Sequence, residues 1–167
     1  MKRAGHPLGK WRNVVFALTA LLVVAADQLT KIWIRSNLNV GQSLPATGLF
    51  QLTHVHNSGA AFGLFQGQSF LLTLIALVGI GTILLLVFFF SHHFSVLNDW
   101  LTGFALGLIL GGTIGNLTDR LRLGYVTDFI DIGIWPAFNV ADSAIVIGVI
   151  MFVYSLRSSA SAGRTSA

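Results

Sequence analysis

Cysteine and glutamate are both missing from this 167-residue sequence. Without cysteine there is no disulfide, no thiolate-bound zinc and no thiol nucleophile. Without glutamate every carboxylate is an aspartate, and there are six: Asp27, Asp99, Asp119, Asp128, Asp131 and Asp142. Charge of either sign is scarce. Charged residues make up 10% of the chain against 54% hydrophobic, whereas a soluble domain carries about a quarter charged residues. A soluble fold of this length could not bury so much apolar surface, so the composition predicts a membrane protein. Proline is rare too, and Pro7, Pro45 and Pro136 all lie outside the interiors of the long apolar runs. Those runs are therefore free to form unbroken helices.

Crossing the hydrocarbon takes about 20 mostly apolar residues. Spans are predicted at about residues 13–34, 69–90, 100–117 and 137–156. Val24-Ala25-Ala26, following basic residues and an apolar stretch, has some features of a cleavable secretory signal. The helical pattern continues past it, however, and Asp27 and Lys31 stand four apart on one face. Such a pair can neutralise itself at a membrane boundary, so a retained span is expected. The expected fold is an all-α membrane protein, a four-transmembrane-helix bundle forming one integral membrane domain over residues 1–167. Tails at about 1–12 and 157–167 are expected to be flexible. The net charge of +4 is concentrated in Lys2, Arg3, Lys10 and Arg12. Beside an apolar segment this reads as a cytoplasmic anchor facing anionic lipid rather than a nucleic-acid site. Both termini are then cytoplasmic. Lys31, Arg35, Arg120 and Arg122 break that rule, because they would face outward.

Between the spans, residues 36–68 are too long for a simple turn. Phe50 to Val55 has strand-like composition, punctuated by Gly41, Pro45, Gly48 and Gly59, so a small β element lying on the membrane surface is expected. His54 and His56 would share one side of that strand, but no third ligand is evident for a metal, and exposed polar strand residues are expected. His92 and His93 read as interfacial. Gly103, Gly107, Gly111 and Gly115 repeat every four residues. That makes a bare stripe for close helix packing and predicts a central third helix.

The acids concentrate in the second half. Asn116 can reach Asp119 and Arg120 along one helix face, and Asp119 is expected to be held ionised by Arg120 and Arg122. Asp128 lies among Val126, Phe129 and Ile130, where desolvation raises a carboxyl pKa. Asp131 reads as a helix cap or loop acid. Asn139 and Asp142 are three apart at the start of the fourth span, where the helix dipole favours an anion. The topology places Asp128 and Asp142 on one side of the membrane, joined by a short loop. Two close carboxyls share a proton, and such a pair can activate water without a metal, as in aspartic proteases. A Mg²⁺ site built from Asp119, Asp128, Asp131 and Asp142 and a proton-coupled transporter are the rival readings.

Five local sequences point further: Asp27-Gln28-Leu29-Thr30-Lys31, Asn57-Ser58-Gly59-Ala60-Ala61-Phe62, Gly115-Asn116-Leu117-Thr118-Asp119-Arg120, Val126-Thr127-Asp128-Phe129 and Phe138-Asn139-Val140-Ala141-Asp142-Ser143-Ala144. In order and spacing the chain resembles the lipoprotein signal peptidase (signal peptidase II) family. The resemblance implies an aspartyl endopeptidase of the bacterial inner membrane, with its site towards the periplasm and a β-cradle on the membrane surface. It implies a diacylglyceryl-prolipoprotein substrate cut before the lipidated cysteine, and inhibition by the cyclic peptide globomycin. Carried over by motif, Asp128 and Asp142 are catalytic. Asn57, Gly59, Asn116, Arg120, Asn139 and Ala141 bind substrate or support the dyad, and Asp27, Lys31 and Asp119 are structural polar groups. No cofactor or metal, no nucleic acid, membrane lipids as neighbours and a monomeric state are expected.

Overall fold

Glycine at every fourth position leaves the third helix without side chains along one face, and its neighbours close onto it. The structure, a computed structural model, describes residues 7–60, 64–91 and 95–165. Among these residues four helical stretches are long and apolar enough to cross a membrane: Trp11–Asn37, Ser69–Phe90, Trp100–Leu123 and Val140–Ser159. They lie in α1 (Pro7–Asn37), α2 (Ser69–Leu85) with the turn that follows it, α3 (Trp100–Leu123) and α4 (Val140–Thr165). A π-helical turn, Leu86–Phe90, extends α2, and a 3-10 turn, Ser95–Asn98, leads into α3. The second span, Ser69–Phe90, and the start of α3 are as expected, α4 starts at Val140 rather than about 137, and the other helix ends overrun the expected spans. Residues 7–12 and 157–165, expected as tails, are helical, and α3 continues to Leu123 before Gly124, at φ 81, stops it. Hydropathy ends a span where polar residues begin, but a helix ends where its backbone is capped.

The glycine stripe faces α1. A Cβ added at Gly107 would lie 2.7 Å from the Phe16 carbonyl oxygen, and one at Gly111 2.7 Å from that of Ala20. Gly112, on the adjoining face, meets Ala141 of α4, and Gly148 of α4 returns the contact against Ala105. Thus α3 lies between α1 and α4. Phe16, Ala20, Ile83, Val87, Leu106 and Leu110 form the apolar core. We expect Gly111→Ala to cost about 1–3 kcal/mol, because the obstructing atoms include backbone that cannot yield. Gly79→Ala, which meets open space, should instead gain about 0.5–1 kcal/mol from helix propensity. Thermal unfolding in one detergent would compare them, and equal midpoints would refute the packing role.

At the end of the bundle away from the sheet, Arg12 departs from its expected role as an anchor facing anionic lipid. It is 4% exposed. Its guanidinium donates to the carbonyl oxygens of Leu97 (2.6 Å) and Val87 (3.0 Å). An arginine carries five donors in a fixed fork and can satisfy backbone acceptors from two directions. Here it ties α1 to both sides of the α2–α3 connection. Lys2, Arg3, His92 and His93 lie outside the described residues.

At the other end is a three-stranded antiparallel sheet in the order β1 (Ser43–Leu44), β2 (Gln51–Asn57), β3 (Val126–Asp131). The first two strands fall in the segment expected to carry β structure. The third, expected only as a connection, carries Asp128 and pairs it opposite Val55. Phe129 packs against Ile34 of α1 and Leu38 just beyond its end, fixing the sheet on the end of the bundle.

Candidate active site

Helix α4 begins with a reciprocal cap. The Asn139 side-chain oxygen accepts from the backbone N–H of Asp142 at 2.9 Å, and Asp142 Oδ2 accepts from the N–H of Asn139 at 3.2 Å. This is the geometry of a capping box, with aspartate in the position usually held by glutamate. Asp142 is thereby fixed by the same bonds that start the helix. Its other oxygen, Oδ1, accepts from Asn116 Nδ2 at 2.8 Å.

Asp128 comes from β3 and is 1% exposed. Asn139 Nδ2 donates to its Oδ1 at 2.7 Å, and Asn57 Nδ2, from the diagonal position on β2, donates to its Oδ2 at 2.9 Å. Asn139 therefore bonds both carboxylates. Burial, together with the nearby charge of Asp142, raises the Asp128 pKa to about 7, against the opposing pull of its two asparagine donors. The direction follows because a low-dielectric site disfavours the charged form.

A buried ion network supports the two acids. Lys31 Nζ contacts Asp27 Oδ2 at 2.9 Å and Asp119 Oδ2 at 3.3 Å, and donates to Asn116 Oδ1 at 2.9 Å. Asp27 Oδ1 in turn accepts from the N–H of Ala141, in the first turn of α4. Gly115 makes room for this carboxylate, since a Cβ there would lie 2.6 Å from Asp27 Oδ2. Asp119 Oδ2 accepts from the N–H of Thr127 at 3.0 Å, and so holds the strand residue next to Asp128. Sequence proximity pairs Asp119 with Arg120 and Arg122. Its cationic neighbours are instead Lys31 and, at 3.4 Å, Arg35. Adjacent residues on a helix point about 100° apart, which turns Arg120 away, while Arg122 shares a cavity with Asp119 but makes no ion pair with it.

Arg120 reaches the other way. It donates to the carbonyl oxygen of Gly59 at 3.1 Å, and it lies in the field of Asp128, Asp142 and Asp119. Its Nε is buried and has no hydrogen-bond partner among the described residues. Gly59 closes a turn in which its N–H bonds Asn57 Oδ1, and an added Cβ would lie 2.7 Å from the Leu64 carbonyl oxygen.

The residues singled out from sequence therefore meet. Asp27, Lys31, Asn57, Asn116, Asp119, Asp128, Asn139 and Asp142 are linked by side-chain contacts, with Ala141, Gly59 and Arg120 attached as described. Asp131 is separate and bonds the N–H of Gly133. Arg35 and Thr127, which bond each other at 3.0 Å, lie outside the site as read from sequence. The recurrence of Asp27, Lys31 and Arg35 every four residues is the available signal for Arg35. His54, expected to be exposed, is buried because its Nδ1 bonds the Leu38 carbonyl oxygen at 2.8 Å. His56 is exposed and stacks on Tyr125. Its pKa is lowered by partial burial and by the neighbouring His54 and Arg35. Among the described residues no three His, Cys, Asp or Glu side chains gather as a metal site.

Comparison with known proteins gives concordant results. Residues 19–157 match the family described as Signal peptidase (SPase) II. A Lipoprotein signal peptidase of Dehalococcoides mccartyi is 48% identical over 153 residues, covering 91% of this chain and 94% of the relative. One of Moorella thermoacetica is 46% identical over 142 residues, covering 84% and 91%. Among solved structures, a bacterial membrane enzyme determined by the in meso method at 2.3 Å superposes with a TM-score of 0.79 at 30% identity, covering 87% of this chain and 89% of that one.

Proposed function

The chain belongs to the signal peptidase II family, a family of peptidases that remove signal peptides from prolipoproteins, and we propose that it does so as an aspartic endopeptidase using Asp128 and Asp142. The observation that carries this reading is the single asparagine, Asn139, bonded to both carboxyl groups. Two acids so held share one proton at neutral pH. Asp128, the more deeply buried, carries it. Asp142, seated in the first turn of α4 and receiving the Asn116 amide, is the ionised partner.

In the proposed reaction Asp142 takes a proton from water as the water oxygen attacks the scissile carbonyl carbon. Asp128 donates its hydrogen bond, then its proton, to the carbonyl oxygen. Collapse of the tetrahedral intermediate breaks the C–N bond. The leaving nitrogen takes the proton held by Asp142, the carboxylic acid product returns one to Asp128, and the dyad regains its starting state. The free donors of Arg120 and the turn at Gly59 border the site and bind the extended substrate backbone. The substrate is a diacylglyceryl-modified prolipoprotein of the bacterial inner membrane, cut before the lipidated cysteine at the periplasmic face. Its acyl chains remain in the bilayer while the cleaved bond sits at the end of the bundle.

Purified protein incubated with such a substrate should release the signal peptide, survive a strong chelator and be blocked by globomycin. The pH profile is a sharper test. Above the Asp128 pKa of about 7 both acids are ionised and no proton remains for the carbonyl oxygen. Cleavage should therefore fall on the alkaline side from about pH 7. A rate that stays level up to about pH 9 would remove Asp128 as the proton donor.

A further inference from the structure

Of the four cations that would face outward against the usual charge rule, three have structural work: Lys31 in the ion network, Arg120 at the dyad and Arg35 on Asp119 and Thr127. Arg122 is left. Arg35 and Arg122 stand in the last turns of α1 and α3, at the same end of the bundle as the dyad. Together with Ile32, Ser36, Asp119 and Leu123 they line a cavity of about 200 Å³ between the two helix ends. Asp119, its one acid, is already held by Lys31 and Arg35. Arg122 is exposed, and among the described residues it has no hydrogen bond or ion pair. Three cations, Lys31, Arg35 and Arg122, thus face two carboxylates, Asp27 and Asp119, leaving one positive charge over.

The surroundings say what kind of anion would reach this charge. Trp33, on α1, and Leu121, on α3, are exposed apolar side chains next in sequence to cavity-lining residues. Such residues at the end of an apolar span meet the acyl chains just below the headgroups, and an exposed tryptophan there is the usual interfacial anchor. An anion arriving at this depth comes with acyl chains attached.

We propose that the cavity between α1 and α3 binds the phosphate of an anionic glycerophospholipid headgroup, with Arg122 as its principal contact and Arg35 and Ser36 beside it. Arginine suits a phosphate because two of its N–H groups can meet two oxygens at once. The lipid would sit against Arg35, which bonds Thr127 next to Asp128. Compensation of the two helix dipoles is the simpler duty for these arginines, but it requires no lipid, and this difference makes the proposal testable.

The protein in mild detergent is titrated with phosphatidylglycerol, with phosphatidylcholine and with soluble sn-glycerol 3-phosphate, and bound adducts are counted by native mass spectrometry. Phosphatidylglycerol should bind wild type about tenfold more tightly than Arg122→Gln, the loss of one charge-assisted contact. It should also bind more tightly than phosphatidylcholine, and the difference should shrink with salt. Arg122→Lys should keep part of the affinity, which separates loss of charge from loss of fold. Equal binding by wild type and Arg122→Gln would overturn the site. Equally effective competition by glycerol phosphate would overturn its assignment to a lipid.

Discussion

Asp128→Asn and Asp142→Asn should each produce a folded, inserted protein whose cleavage rate is lower by about 10³-fold or more, the scale expected when an essential acid or base is removed. An amide has nearly the shape of the carboxylic acid but can neither give nor take the proton. At position 142 the amide would keep an acceptor oxygen for the cap of α4. At position 128 it would keep one for either Asn57 or Asn139. Asp131→Asn is the control, because that acid bonds the turn at Gly133 and is not joined to the dyad. Its rate should stay near wild type. Near-normal cleavage by either dyad variant at equal expression would exclude that residue from the chemistry.

Asp128→Asn should also alter how stability depends on pH. The folded chain holds the Asp128 proton up to about pH 7, whereas the ordinary value is 3.8. Between those values the native state binds more protons than the unfolded state, so stability falls as pH rises through the window and levels off above it. That slope should flatten in the amide variant, and thermal unfolding at several pH values would measure it.

Lys31→Met should be the most damaging single change to the fold. Lys31 is fully buried and lies between two buried carboxylates, Asp27 and Asp119. Removing the cation leaves both acids without their main compensation, which typically costs about 3–5 kcal/mol, a large share of a protein's whole stability. Little folded protein should accumulate. Asp119 keeps Arg35 at 3.4 Å, so Asp27 is the acid most affected by the loss. The double variant Lys31→Met with Asp27→Asn should recover folded protein, and the yield of detergent-stable monodisperse protein would report it. If Lys31→Met alone were as stable as wild type, the network would have no structural role. The recovered double variant should still cleave slowly, because Asn116 Oδ1 loses its Lys31 donor and the amide that orients Asp142 is then less firmly held.

The parts of this fold legible in sequence are those governed by local composition. Four apolar spans, the stripe from Gly103 to Gly115 and the Asp27–Lys31 spacing each follow from residues close together in the chain. The site's hidden parts depend on distant partners. The first four residues of β3 are all buried, so no alternation announces it, and its pairing strand is β2, far back in the chain. Asp119 finds its cations on α1, brought near only when the glycine stripe lets the two backbones close. Arg12 reads as a surface charge because its distant acceptors, at Leu97 and Val87, are backbone carbonyls, which carry no sequence signature at all. The spacing of Asn139 and Asp142 reads as a shared helix face, but α4 starts at Val140 and Asn139 caps it from outside. The same spacing also fits a capping box, a signal that periodicity alone does not separate from a face.

This cap has a bearing on how the protein loses activity. One of the two bonds that aim the Asp142 carboxylate also starts α4, the other coming from Asn116, so the acid loses half of its anchoring when the helix start unravels. Fraying by a single turn at Val140 would swing the side chain away from Asp128 before any span left the bilayer. Heat or harsh detergent should therefore silence the protein while most of its helical signal persists.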